Sequence, residues 1–272
     1  MLCFASLGCE EVRDKLSDKV KAVVRVKSGE GSPCASTADC RSGFYCGESK
    51  RCVERGQDYY FEIKYNVKAS PETERYSLEM SAPLDLTRRQ EILELNVVPK
   101  PTSRRVTDNS VILTYESSMP PRQRTIRVYG KARITGYDLK SARAHNRPYE
   151  RAVHRSYKRP SAKIQSRHRE IKAQARLLKR QTDEATARAI YRYVANSMTY
   201  TTSVMLFGNR SALRALRTGK GVCYDYSLLF AALSRANGIP ARIASGITAG
   251  RSKAGHAWPE AYLSGYGWVA FD

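Results

Sequence analysis

The chain has 272 residues, enough for one large domain or two modest ones, and 42% of them are hydrophobic, which suits an ordinary globular protein with a real core. Forty-seven Lys and Arg stand against 26 Asp and Glu, a formal net charge of +21 that favours anionic surroundings and says nothing about fold. No apolar run approaches the roughly 20 residues of a membrane span, so the body of the chain is not expected to be embedded in a bilayer.

In chain order, residues 1–32 read as a signal remnant followed by a spacer. Met1-Leu2-Cys3-Phe4-Ala5-Ser6-Leu7-Gly8-Cys9 is short and apolar and ends in small residues before a cysteine, like the tail of a lipoprotein signal. It departs from that pattern in lacking a basic leading region and in placing Leu7 one position too near the cysteine. A lipid on Cys9 would tether the mature protein. From Glu10 to Ser32, valines alternate with charged residues.

Residues 33–56 form a cysteine-rich module. Cys34, Cys40, Cys46 and Cys52 are each separated by five residues, among Ser, Gly, Asp and Arg. Such a polar stretch cannot bury a core and needs cross-links to hold a shape, so two disulfides, and hence export from the cytoplasm, are expected. A zinc knuckle is the rival, weakened by the lack of close cysteine pairs and of a nearby histidine. Spacing does not determine connectivity, although first-to-third and second-to-fourth bridges would suit a compact knot.

Across residues 57–140 the period changes to two. Tyr59–Val67, Tyr76–Met80, Glu91–Val98, Ser110–Tyr115 and Gln123–Tyr137 read as short strands separated by Pro, Asn, Ser and Asp breakers. With no helical pattern between them, they predict an antiparallel β-sandwich. Residues 141–160 read as a basic linker inside a longer stretch, 139–180, where fourteen Lys or Arg face only Glu150 and Glu170. That strip could meet an anionic membrane or cell-wall surface, or could simply be solvated. Few aromatics interleave with the charges, so no stacking platform for single-stranded nucleic acid is expected. His145, His154 and His168 lie in this stretch and are expected to be solvated.

Residues 161–272 read as helices followed by strands. Ile164–Leu178 predicts a first helix, Thr182 caps a second, and Ser211–Leu216 forms a short third. Gly219-Lys220-Gly221-Val222-Cys223 then runs into Tyr224-Asp225-Tyr226-Ser227-Leu228-Leu229-Phe230, a buried helix ending at Asn237-Gly238. Cys223 therefore stands at a helix start, where unpaired amides and the helix dipole favour a thiolate. Thirty-three residues later comes Gly255-His256-Ala257-Trp258, and sixteen further the chain reaches Asp272 through Gly267-Trp268-Val269-Ala270-Phe271. A cysteine, a histidine and an aspartate in that order supply a nucleophile, a base and a carboxylate to hold the imidazole. In that arrangement Asp272 accepts the imidazole Nδ1 proton.

The runs GKGVCYDYSLLFAALSRANGIPARIASG, GHAWPEAYL and GYGWVAFD resemble the transglutaminase-like superfamily of papain-type thiol enzymes, bacterial branch, from about Ala187 to Asp272. The resemblance implies an α+β fold, with a papain-like, transglutaminase-like catalytic domain after the β-sandwich and the small disulfide-rich module. It also implies Cys223, His256 and Asp272 as catalytic residues acting on an amide or peptide carbonyl of a protein or peptide substrate through a thioester, with no cofactor. Relatives continue through further strands, so a continuation beyond Asp272 is expected. No acidic loop is clustered as a calcium site requires, so no metal is expected either.

Other residues near the motifs carry secondary expectations. Tyr200 is a candidate oxyanion donor beside the Cys223 amide; Trp258 and Trp268 could both be core, with Trp258 alternatively a wall of the acyl pocket. Asp225 is expected to have a capping or structural role, Glu260 to bind substrate or balance arginines, and Pro259 to put its strand at an edge or a bulge. No second site for an amine is visible, so hydrolysis is preferred over cross-linking. The alternative is a non-catalytic binding or scaffold protein of the cell surface.

Overall fold

In a computed structural model of the protein, the residues described are 2–3, 33–36, 39–40, 44–46, 50, 52–54, 56–86, 89–107, 110–118, 123–135, 151–203, 210–248 and 255–272. The expectations for Cys9, the spacer and the basic stretch 139–150 lie outside them. The described residues divide into two compact units, one lying within Lys27–Tyr137 and the other within Asp138–Asp272 together with Leu2 and Cys3. Among the described residues no helix is long and apolar enough to cross a membrane.

The first unit begins with the cysteine module. Disulfides join Cys34 to Cys46 and Cys40 to Cys52, the first-to-third and second-to-fourth pattern. The sulfurs replace the core that so polar a segment lacks, and among the described residues only Phe44 joins Cys34, Cys40 and Cys52 in its buried cluster. A hairpin that the spacing did not announce, Phe44–Cys46 with Cys52–Glu54 (β2 and β3, after the two-residue β1 at Leu2–Cys3), brings Cys46 opposite Cys52.

Six longer strands follow: β4 (Gln57–Lys68), β5 (Tyr76–Ala82), β6 (Gln90–Val98), β7 (Ser103–Thr107), β8 (Ser110–Ser117) and β9 (Gln123–Ile134). They make two antiparallel sheets, ordered β4-β9-β6 and β5-β8-β7. Alternation along each strand turns one face of each sheet inward. Ile126 and Val128 from the first sheet share one cluster with Met80, Leu113 and Tyr115 from the second. Strand β7 escaped the period-two pattern because Ser-Arg-Arg-Val-Thr has a single apolar residue and is exposed over four of its five positions.

In the second unit, α1 (Arg151–Lys158) occupies part of the expected linker, so 141–160 is not simply a connection. The helix expected from Ile164 begins only at Arg169 (α2, Arg169–Leu178). His168 caps it by accepting from the Glu170 amide, which corrects the expectation of a merely solvated imidazole. Thr182 caps α3 (Asp183–Ser197) and Ser211 caps α4 (Ala212–Thr218) through their hydroxyls, contacts worth about 1 kcal/mol each. Helix α5 (Cys223–Ala236) is buried continuously from Ser227 to Ser234. It packs against α2, α3, α4 and the sheet strands β12 (Ala241–Thr248) and β13 (Gly255–Leu263). A helix apolar around most of its circumference is stable only in such a central position.

The sheet is ordered β1-β12-β13-β14, with β14 covering Gly267–Ala270, and its last three strands are antiparallel. Strand β13 is central, which corrects the expectation from Pro259 of an edge or bulge. The sheet tolerates the proline because its carbonyl accepts from Phe271 N at 3.0 Å. In an antiparallel pair a residue's N and O point to the same neighbour, so the missing N–H falls at the end of the β14 pairing and leaves the β12 ladder whole.

Candidate active site

The site is built from the loop ahead of α5 upward. Gly219 closes α4 in the left-handed conformation, φ 58°, with its amide donating to Ala215 O. Two parallel two-residue strands, β10 (Thr199–Tyr200) and β11 (Lys220–Gly221), then hold the loop. Thr199 N donates to Gly219 O at 2.7 Å, and Thr201 N to Gly221 O at 2.9 Å. Val222 has no side-chain acceptor for the helix start. Instead the Asp225 carboxylate, only 4% exposed, reaches back and accepts from Val222 N at 3.0 Å. This is the capping role expected of Asp225, and it explains Gly221: a Cβ there would collide with Asp225 Cβ and lie 3.0 Å from its Cγ.

Cys223, the first residue of α5, is a free, half-buried cysteine. Strand β13, packed on α5, carries His256, whose Nε2 lies 2.8 Å from Asp272 Oδ1 and 2.7 Å from Oδ2. The partner nitrogen is therefore Nε2, not the Nδ1 expected from the residue order. Asp272 is itself fixed by its neighbours. Phe271 packs on Phe230 of α5 with ring centroids 4.8 Å apart, and Tyr191 of α3 donates its hydroxyl to Asp272 O at 3.2 Å. Tyr191 was not singled out from the sequence, since nothing local announces a hydroxyl partner 81 residues away.

Helix α5 and strand β13 are joined next to both residues. The Ser227 hydroxyl lies 2.8 Å from Cys223 O and 3.2 Å from Ala257 O, the carbonyl after His256. Among the described residues no hydrogen bond joins the Cys223 sulfur to the imidazole.

The secondary candidates separate clearly. Trp258 is 3% exposed, and its ring stacks on that of His256 at 5.9 Å between centroids and 24° between planes. Tyr200 is 63% exposed, with its backbone in register with Gly221, two residues ahead of Cys223, and its ring 6.2 Å from that of Tyr226. Glu260 balances an arginine: Arg242 Nε lies 2.7 Å from its carboxylate, and the two side chains are 17% and 2% exposed. The Arg242 guanidinium also lies 4.3 Å over Trp268, whose ring meets Tyr157 and Tyr262 edge-on, so Trp268 belongs to the packing.

Residues 172–272 match the transglutaminase-like superfamily. A candidate cysteine protease from Cytophaga hutchinsonii is similar in structure over 79% of this chain and 78% of its own, with a TM-score of 0.61 and 19% identity, a likeness of fold alone. The periplasmic domain of TgpA from Pseudomonas aeruginosa, 15% identical, covers 83% of this chain and 77% of its own at a TM-score of 0.42. No curated protein matches the chain.

Proposed function

Because residues 172–272 carry a transglutaminase-like core, we propose that the protein catalyses cysteine-dependent acyl transfer on amide or peptide bonds. The observation that carries this reading is the pairing of His256 Nε2 with Asp272 at 2.7 Å on the strand packed against the helix that begins with Cys223. With Nε2 held, Nδ1 is the nitrogen left to take the thiol proton. The thiolate attacks the carbonyl, the oxyanion is met by the Cys223 amide and the Tyr200 side chain, and the imidazolium returns its proton to the leaving amine. A thioester on Cys223 remains, and water or a primary amine resolves it. Trp258, stacked on the ring, screens the imidazole and walls the acyl pocket.

In this reading the C-terminal unit is papain-like and the two sheets of the first unit form a β-sandwich. The protein is exported, because two disulfides inside so short a segment persist only in an oxidising compartment. Its substrate is a protein or peptide, its basic surface meets an anionic membrane or wall polymer, and Cys9 carries a lipid.

The absence of a sulfur-to-imidazole hydrogen bond among the described residues favours a second reading, a surface scaffold. Catalytic contacts that tighten only with substrate bound account equally for that geometry. Incubation with glutamine-containing peptides, with and without a primary amine, separates the outcomes by product mass. A loss of ammonia with gain of water marks hydrolysis, and an amine adduct marks cross-linking. No product in either case, with Cys223→Ser indistinguishable from the natural protein, rejects the enzymatic reading.

A further inference from the structure

Ser227 lies one turn beyond Cys223 on α5 and is wholly buried. Its single hydroxyl proton is shared between two carbonyls, Cys223 O at 2.8 Å and Ala257 O at 3.2 Å. The first belongs to the residue that bears the thiol, and the second to the peptide that directly follows His256. We infer that Ser227 is a positioning residue whose hydroxyl sets the separation between the Cys223 sulfur and the His256 ring, an inference that rests on the acyl-transfer reading of those two residues.

Packing alone does not call for a hydroxyl at this place. Ala231 and Ala232, also wholly buried on α5, show that the helix fills its surroundings there with methyl groups. Nor does every buried serine of this helix find a partner: Ser234 is equally buried, and its hydroxyl has none among the described residues. Ser227 differs in reaching off the helix.

A serine bonding only to the carbonyl four residues back tends to bend its helix. Here the same hydroxyl also engages the neighbouring strand, so the first turn of α5 and the start of β13 move together. Helix α5 and β13 also pack on each other, but among the described residues the other side-chain hydrogen bonds at the site each fix one partner within its own element or to a third segment. Asp225 holds the loop to the helix through Val222 N, and Asp272 holds the ring through Nε2. Among the described residues, Ser227 ties the cysteine's turn to the histidine's strand by hydrogen bonds. An ångström of misplacement between reacting groups can lower a rate about a hundredfold, so a partial relaxation on losing this link should cost about tenfold.

The test compares the full chain with its Ser227→Ala and Ser227→Thr variants by the rate at which iodoacetamide alkylates Cys223 at neutral pH, mapped by peptide mass, with thermal unfolding measured alongside. Ser227→Ala should react about tenfold more slowly than the natural protein while unfolding within a few degrees of it, and Ser227→Thr, which keeps the hydroxyl, should recover most of the rate. Ser227→Ala alkylated as fast as the natural protein would overturn the positioning role and leave the enzymatic reading intact. A Thr variant that folds as well as the natural protein yet reacts as slowly as the Ala variant would also overturn it, since the hydroxyl would not be what matters. A natural protein whose Cys223 reacts no faster than free cysteine would overturn both.

Discussion

At the scale of single residues, the account turns on Asp272 holding His256. Asp272→Ala should lower kcat/KM by about a hundredfold or more, because the imidazole loses its orientation and the partner for its charged form. Tyr191→Phe keeps the ring but removes the 3.2 Å bond to Asp272 O, and should cost only a few-fold, about what one neutral hydrogen bond supplies. Steady-state kinetics on one peptide substrate distinguish the two, and equal losses would show that orientation of the carboxylate is not the issue. Order and local motif singled out the three candidates, a cysteine after a glycine loop, then a histidine and an aspartate, and the fold brings His256 and Asp272 into contact just past the end of β14. Which ring nitrogen meets the carboxylate was not legible, because it depends on how β13 and the two residues after β14 lie against each other. Tyr191 was invisible for a related reason. No local motif marks it, and only the fold brings its hydroxyl 81 residues along the chain to Asp272.

At the scale of elements, helix α5 and the loop before it decide the site. Gly221→Ala should displace Asp225 and release Val222 N, because the new methyl would occupy the space of the carboxylate stem. Loss of the cap costs about 1 kcal/mol, and the displaced loop should lower activity by more than that stability change alone explains. Ser234→Ala runs the other way. Removing a wholly buried hydroxyl without a partner should stabilise the protein by about 1 kcal/mol, a rise of about 3 °C in the thermal midpoint; a fall would mean that the hydroxyl is satisfied in solution. Glu260→Gln leaves the Arg242 guanidinium unpaired at 17% exposure and should destabilise by about 3 kcal/mol. Helix α5 was readable because its apolar run is long and bounded by glycines. Strand β7 and helix α1 were not, since one is an exposed edge and the other is rich in Arg and Lys, and both are specified by what they pack against.

At the scale of the whole molecule, charge and cross-links set the conditions in which the protein works. Hydrogen bonds from Lys131 and Arg133 hold the Asp58 carboxyl below its ordinary value of 3.8, and those from Arg127 and Lys64 hold Glu62 below 4.5. A folded value below the unfolded one contributes stability that is present above the ordinary carboxylate range and is lost as pH falls through the folded values. Stability of the first unit should therefore decline below about pH 4, and Asp58→Asn should flatten that part of the curve in acid titrations followed by circular dichroism. The basic surface predicts retention on vesicles containing anionic phospholipid that weakens as salt is raised, with none on neutral vesicles; equal binding to both would remove charge as the cause. The cysteine module was legible as a disulfide framework from its spacing and polarity, whereas the hairpin that brings Cys46 opposite Cys52 emerged only in three dimensions.

The most direct measurement of the central claim is the rate at which iodoacetamide labels Cys223 at neutral pH, in the natural protein and in His256→Ala, against free cysteine. The account predicts stoichiometric labelling much faster than free cysteine, falling to or below the free rate when the imidazole is removed. Sluggish labelling of the natural protein, or a fast rate that survives loss of His256, would contradict it.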